Sequence, residues 1–209
     1  MAWFTRISRY CDAHLVYGQE AQNSCGIASV MMCVFKINKI RPGSTALTLE
    51  KDIYKKYESA SGGGYNPQTT GTFPQYLATI LTEFTGKTWG SQKPAEGAIP
   101  ALIKQKVGVS AGLGPTIVSS PVIVGVDWDQ GGAHWIVIDS IRTMGWGYNA
   151  TVCDPWDANL HIQSFEIGKP FKYDADDAGP TLDFGGTRNA YSGSANTGKV
   201  KTWGVICPV

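Results

Sequence analysis

Hydrophobic positions divide the chain into a first half with helical spacing and a second half with strand spacing. After residue 24, apolar side chains recur every three or four positions, which predicts an amphipathic helix over about 24–36. The same spacing predicts three further helices: about 48–58, 73–86 and 98–106. From residue 121 the period changes, and runs of β-branched residues predict strands: 121–126, 134–141, 150–153, and further strands within 160–171 and 200–209.

This order of elements predicts an α+β protein. Helices precede strands without a repeating βαβ unit, which favours an antiparallel sheet. We expect one domain over residues 1–209, with a helical lobe over about 1–115 and a β-rich lobe over about 116–209. Residues 1–18 show no clear period, and the Gly-rich stretch 59–72 is typical of an exposed loop.

Composition narrows the function classes. The 209 residues are 43% hydrophobic and 17% charged, and 18 basic against 17 acidic residues give a net charge of +1. Nucleic-acid binding, which needs a clustered basic face, is therefore not expected. The sequence has neither a membrane span of about 18 apolar residues nor a signal-peptide pattern. We expect a soluble chain that stays in the cytoplasm or is exported by a signal-independent route.

Candidate metal ligands are few in this sequence. The five cysteines lack the C-x-x-C spacing of metal sites, and no motif indicates a cofactor. Carboxylates at Asp127 and Asp129, or at Asp174, Asp176 and Asp177, could gather calcium, but they lack the Gly and Glu positions of an EF-hand loop. The expectation is therefore solvated acidic loops and no metal.

Cys25 stands where a polar loop meets the first helix. Asn23 and Ser24 are favourable N-cap residues, so Cys25 is expected in the first turn, where the helix dipole favours a thiolate. Gly26 has no side chain and would let a substrate backbone approach the sulfur. Gln19 carries an amide that could donate to an oxyanion beside Cys25. A buried structural cysteine is the alternative, and it is the reading we expect for Cys33.

A thiolate nucleophile needs a base and a group that orients the base. His134 begins a predicted strand, and the hairpin to 150–153 would return Asp154 to the same end of the sheet. Asp139 lies about 17 Å along the strand from His134, at about 3.4 Å per residue, which is too far to touch its ring. We expect Trp135 to pack beneath the sheet and Trp156 to shield the His134–Asp154 pair. A structural role is expected for His14.

In these motifs the chain resembles the papain-like cysteine proteases, and most of all the bacteriocin leader-peptidase (double-glycine peptidase) branch and papain-like bacterial effector proteases. The resemblance covers about residues 15–165. It rests on four motifs: Gln19-x5-Cys25-Gly26-Ile27-Ala28, Pro121-Val122-Ile123-Val124, His134-Trp135-Ile136-Val137-Ile138 and Asp154-Pro155-Trp156.

The resemblance implies a two-lobed fold with the active site in the cleft between the lobes. It implies Cys25 as nucleophile, His134 as acid and base, Asp154 as orienting group and Gln19 in the oxyanion hole. It also implies a protein or peptide substrate, an inhibitor or immunity protein as a further partner, and a monomeric enzyme. The 109-residue interval from Cys25 to His134 is shorter than the about 130–150 residues of papain and cathepsins. That interval favours a compact bacterial protease, effector or toxin.

Two other functions remain open at this point. The same Cys-His-Asp chemistry serves other thiol amidohydrolases, such as a cell-wall peptidoglycan amidase or a glutamine deamidase toxin. A catalytically silent binding module is the third reading, and it predicts the loss of one of the four site positions. All four are present in the sequence.

Overall fold

A computed structural model describes residues 2–40, 44–114, 119–145, 147–175, 182–184 and 197–209. The helices within these ranges are α1 (Cys25–Asn38), α2 (Ser44–Ala60), α3 (Pro74–Thr85) and α4 (Ile99–Val107). The strands are β1 (Ala2–Ile7), β2 (Ala13–Gly18), β3 (Trp89–Gln92), β4 (Ser110–Ala111), β5 (Val122–Trp128), β6 (Ala133–Met144), β7 (Gly147–Asp154), β8 (Asn159–Phe165), β9 (Lys172–Asp174), β10 (Leu182–Phe184) and β11 (Thr197–Pro208).

A large antiparallel sheet organises the described residues. Its central path runs β3-β11-β5-β6-β7-β8, with β9 paired to β11 and the short β4 paired in parallel to β6. A second, three-stranded sheet has the order β10-β1-β2. The mixed helix and strand class with a large antiparallel sheet, predicted from the sequence, is confirmed.

Both faces of the large sheet pack against helices. Alternate residues of each strand point to opposite faces, so one strand contributes to two cores. On β5, Ile123 belongs to the core shared with α1, α2 and α3, whereas Val122 and Val124 belong to a second core with α4. This two-sided burial explains the continuous apolar runs in the sequence. Of the helices in the described ranges, none combines the length and the hydrophobicity that crossing a bilayer requires.

The N-terminal region differs from the predicted helical lobe. Residues 2–18 form the β1–β2 hairpin, and β3 and β4 also lie within the range 1–115. The alternation of buried and exposed positions in β2 cannot be recognised from residue type, because the polar His14 is buried while the apolar Leu15 is exposed. Helix α1 ends at Asn38 and α2 begins at Ser44, so both helices are longer than predicted.

Candidate active site

Cys25 is the first residue of α1, as the sequence predicted, but the predicted cap is wrong. Ser24 holds the N-cap position without a side-chain bond to the first turn of the helix. Its hydroxyl instead closes the preceding loop: it donates to the Ala21 carbonyl at 2.9 Å and accepts from the Ala21 N–H at 3.0 Å. The positive end of the helix dipole at Cys25 is thus not neutralised by the Ser24 side chain.

Gly26 serves the packing of the loop that follows α2. A Cβ at this position would lie 2.0 Å from Thr72 Oγ1 and 3.0 Å from Leu77 Cδ1, which is closer than atoms can approach. The space was expected to admit a substrate backbone, but Thr72 occupies it. Glycine at position 26 therefore lets residue 72 close against the helix directly behind Cys25.

His134 and Asp154 meet at the end of the β6–β7 hairpin. The strands pair in the predicted out-and-back register, with Val137 opposite Cys153, and His134 Nε2 lies 2.8 Å from Asp154 Oδ1. The imidazole is also in hydrogen-bond contact with the thiol of Cys25. The structure thus brings Cys25, His134 and Asp154 into one chain of contacts.

The contact between His134 and Asp154 holds the pair in its charged form, against the effect of burial. Burial alone lowers the pKa of His134, but the Asp154 carboxylate and the contact with Cys25 outweigh burial and raise the pKa to about 10. Burial alone likewise raises the pKa of Asp154, but the neighbouring His134 outweighs it, and the pKa lies well below its usual range. An imidazolium facing a thiol is the arrangement that favours a thiolate.

Trp128 covers the imidazole. Its ring is stacked on His134 with 5.7 Å between centroids and 17° between planes. The sequence predicted such a cover for Trp156; its backbone N–H donates to Asp154 Oδ1 at 2.7 Å, and shielding of the pair by its ring stays a prediction. Trp128 could have been found from the strand register, since it lies two residues beyond Val126, the partner of His134. Trp135 packs in the core beneath the sheet as predicted, edge-on to Trp203.

Gln19 lies between the two halves of the site. It follows β2, and its backbone N–H donates at 2.8 Å to the carbonyl of Pro155, the residue after Asp154. Its side-chain Nε2 donates to the carbonyls of Ala21 at 2.9 Å and Gln22 at 3.1 Å. The amide therefore supports the loop that carries Cys25, and a donation to an oxyanion would require one of these N–H groups to leave its carbonyl.

Asp139 belongs to a separate network at the other end of α1. Its carboxylate contacts His14 Nδ1 and the Lys36 ammonium, and its pKa is lowered because these two groups outweigh the effect of burial. Asp139 thus pairs with His14 and Lys36, which is consistent with the prediction that it lies too far along the strand to orient His134. His14 is buried and links β2 to β6, so its contacts fit the structural role that was expected.

Two clusters in the described ranges carry donors that a metal ion would use. They are His14, Asp139 and Cys153, and Asp154, Asp157 and His161, with donor atoms within 4.8 Å of one another in each. A cation at either cluster would compete with an existing positive group, Lys36 in the first and His134 in the second.

The first calcium alternative is not supported by a converging pair of carboxylates. Asp127 lies 3.9 Å from Lys201, and Asp129 accepts a hydrogen bond from Thr197 at 3.0 Å, so each is engaged with its own partner. Of the second predicted set, Asp176 and Asp177 lie outside the described residues.

The charged pair predicts how stability depends on pH. With a pKa of about 10, folded His134 keeps a proton that an unfolded imidazole loses near pH 6.5. The contribution of the pair is therefore complete below about pH 6.5 and falls as the pH rises toward 10, by up to about 1.4 kcal/mol per pH unit. Urea unfolding of the wild type and of His134→Gln between about pH 6 and 9 should show their difference in unfolding free energy shrinking with pH. Parallel pH curves would contradict a raised His134 pKa.

Neither a comparison with models of known protein families nor a search of characterised protein sequences finds a match to this chain. Its function is therefore inferred from the residues of the site itself.

Proposed function

We propose that the chain is a papain-like cysteine protease. In this proposal α1, α2 and α3 form one lobe, which supplies Cys25, and the large sheet forms the other, which supplies His134 and Asp154. The observation that carries the proposal is the contact chain from the Cys25 thiol through the His134 imidazole to the Asp154 carboxylate. Three buried groups of these types in this order are a nucleophile, its acid and base, and the group that orients the base.

The mechanism follows from these contacts. The Cys25 thiolate attacks the carbonyl carbon of the scissile amide, and an S–C bond forms while negative charge moves to the oxygen. The Cys25 backbone N–H, at the uncapped end of α1, stabilises this oxyanion, together with one N–H of the Gln19 amide that leaves the carbonyl of Ala21 or Gln22 to do so. The His134 imidazolium gives its proton to the amide nitrogen as the C–N bond breaks. The neutral imidazole then takes a proton from water, whose oxygen releases the acyl group from sulfur.

Two cavities lie beside the Cys25 end of α1 and offer room for a polypeptide. One, of about 260 Å³, lies under the Gly-rich loop and is lined by aromatic rings including Tyr57, Tyr65 and Tyr76. The other, of about 750 Å³, lies between Phe73 and Trp203. Thr72 lines the second cavity and also touches Gly26, while Tyr65 donates to the Asn23 carbonyl at 3.3 Å. Both cavities therefore adjoin the loop that carries the nucleophile.

A thiol amidohydrolase of another kind is the second candidate, because the contact chain would serve any acyl transfer from an amide. The cavity of about 750 Å³ that Thr72 lines has room for more than a single side chain, which favours a polypeptide. Release of peptides from casein supports the protease. Release of amino groups from purified peptidoglycan, or of ammonia from protein glutamines, without peptide release, would support the amidase or the deamidase.

Competition between thiols for a limiting amount of iodoacetamide tests the proposal. Cys11 is exposed and Cys25 is buried, so an ordinary Cys25 thiol should react more slowly than Cys11. An activated Cys25 should react first at neutral pH, and His134→Ala should slow Cys25 while leaving Cys11 unchanged. Intact mass and peptide mapping measure the ratio of the two adducts. Preferential alkylation of Cys11 in the wild type would overturn the proposed nucleophile.

A further inference from the structure

The Asp154 carboxylate is held on both of its oxygens. Oδ1 accepts from His134 Nε2 at 2.8 Å and from the Trp156 N–H at 2.7 Å. Oδ2 accepts from the Tyr173 hydroxyl at 2.5 Å. A carboxylate bound only through one oxygen can rotate about its Cβ–Cγ bond, whereas donors on both oxygens fix its plane. Tyr173 is therefore placed to decide the direction in which Oδ1 faces His134.

Tyr173 lies in a part of the chain where no sequence motif indicates a link to the site. It lies on β9, a three-residue strand that pairs with β11. Its ring is buried at 1% exposure, with Trp128 at 5.8 Å and His161 at 5.6 Å between centroids. The Trp128 indole thus packs against both the His134 imidazole and the Tyr173 ring.

The far side of Tyr173 is also fixed. The His161 ring meets it edge-on at 78°, and His161 Nε2 lies 3.0 Å from Asp157 Oδ2. Asp157 raises the pKa of His161 against the lowering effect of burial. A hydroxyl on a ring held from two sides loses little conformational entropy when it binds the carboxylate, so its hydrogen bond can set the geometry of Asp154.

We propose that Tyr173 is a positioning residue of the active site, which acts through Asp154 on the orientation of the His134 imidazole. This inference rests on the proposed function. Without the Tyr173 hydroxyl, Asp154 turns more freely and its oxygen faces the imidazolium for a smaller fraction of the time. The imidazolium is then less stabilised, and the Cys25 thiolate that depends on it becomes less populated near neutral pH.

The test compares two Tyr→Phe variants. Tyr173→Phe keeps the buried ring and removes only the hydroxyl. Tyr148→Phe removes a hydroxyl at the opposite end of β7 from Asp154, where it accepts from Lys104 of α4 at 2.8 Å. In the competition with Cys11, Tyr173→Phe should lower the Cys25 to Cys11 ratio about tenfold, as expected for one hydrogen bond to a charged group. Half-maximal Cys25 alkylation should move to higher pH. Tyr148→Phe should change neither quantity.

A double-variant cycle decides whether Tyr173 acts through Asp154. Adding Tyr173→Phe to Asp154→Asn should cost no further reactivity, whereas independent effects would multiply and overturn the proposal. Thermal unfolding of each variant shows whether it is folded at the assay temperature. A wild-type Cys25 that reacts no faster than Cys11 would count against the proposed function itself. An activated wild-type Cys25 that is unaffected by Tyr173→Phe would reject the positioning role alone.

Discussion

Cys25→Ala should abolish amide hydrolysis while leaving the fold intact. The substitution removes the sulfur that attacks the carbonyl, and loss of a covalent nucleophile lowers turnover on the order of a millionfold. It removes one atom from a buried side chain that is 8% exposed, so the free energy of unfolding should change by about 1 kcal/mol. Casein or peptide hydrolysis measures the first effect, and thermal unfolding measures the second.

Cys33→Ala is the matched control for this prediction. Cys33 lies on the same helix, is fully buried in the core, and has a raised pKa because burial disfavours the thiolate. Removing its sulfur should cost about 1 kcal/mol of stability through a small cavity and leave turnover unchanged. Undiminished hydrolysis by Cys25→Ala would exclude the mechanism, whatever Cys33→Ala does.

Local patterns in the sequence were sufficient for the elements that carry the site. The period of α1 and the boundary before Cys25 place the cysteine at a helix start, and the structure confirms this position. The β-branched runs around His134 and before Asp154 imply a hairpin, and the spacing along it returns Asp154 to His134. Both inferences use contacts that are close in sequence or fixed by a single turn.

Contacts between distant parts of the chain could not be predicted from such local patterns. The β1–β2 hairpin was missed because His14 fills a buried position where an apolar residue was expected, and its partner Asp139 is 125 positions away. Tyr173 approaches Asp154 only after β9 pairs with β11, whereas Trp128 reaches His134 across the single β5–β6 hairpin. Residue type alone does not indicate which of seven tryptophans will cover an imidazole.

The roles of Gly26 and Ser24 in packing and hydrogen bonding could not be predicted from the sequence either. Gly26 suggested open space beside the sulfur, but the three-dimensional packing fills that space with Thr72. Serine is a residue type that often caps helices, yet the Ser24 side chain bonds back to Ala21. Ser, Thr, Asn and Asp can bond to either side of a helix start, and the surrounding loop decides between the two.

The buried Arg142 links three separate segments of the chain. It lies on β6, and its side chain is 1% exposed. Its Nε and Nη2 donate to Asp12 Oδ2 at 3.0 and 2.6 Å, in the turn between β1 and β2. Its Nη1 donates to the carbonyls of Gly112 at 2.7 Å and Gly114 at 2.8 Å. One guanidinium therefore fixes the N-terminal hairpin and the segment after β4 to the central sheet.

Arg142→Met should destabilise the fold by about 3 kcal/mol, because a side chain of similar length without donors leaves Asp12 and the carbonyls of Gly112 and Gly114 without these four hydrogen bonds. The free energy of unfolding in urea measures the effect.

Arg9→Met is the matched control, since Arg9 is exposed and bonds locally to Tyr10, and it should change stability by about 0.5 kcal/mol or less. Arg142 lies away from Cys25, so the folded variant should keep its ratio of Cys25 to Cys11 alkylation. Equal stability of the two variants would show that the hairpin is held in place by its apolar contacts, such as Trp3 of β1 against Phe35 of α1.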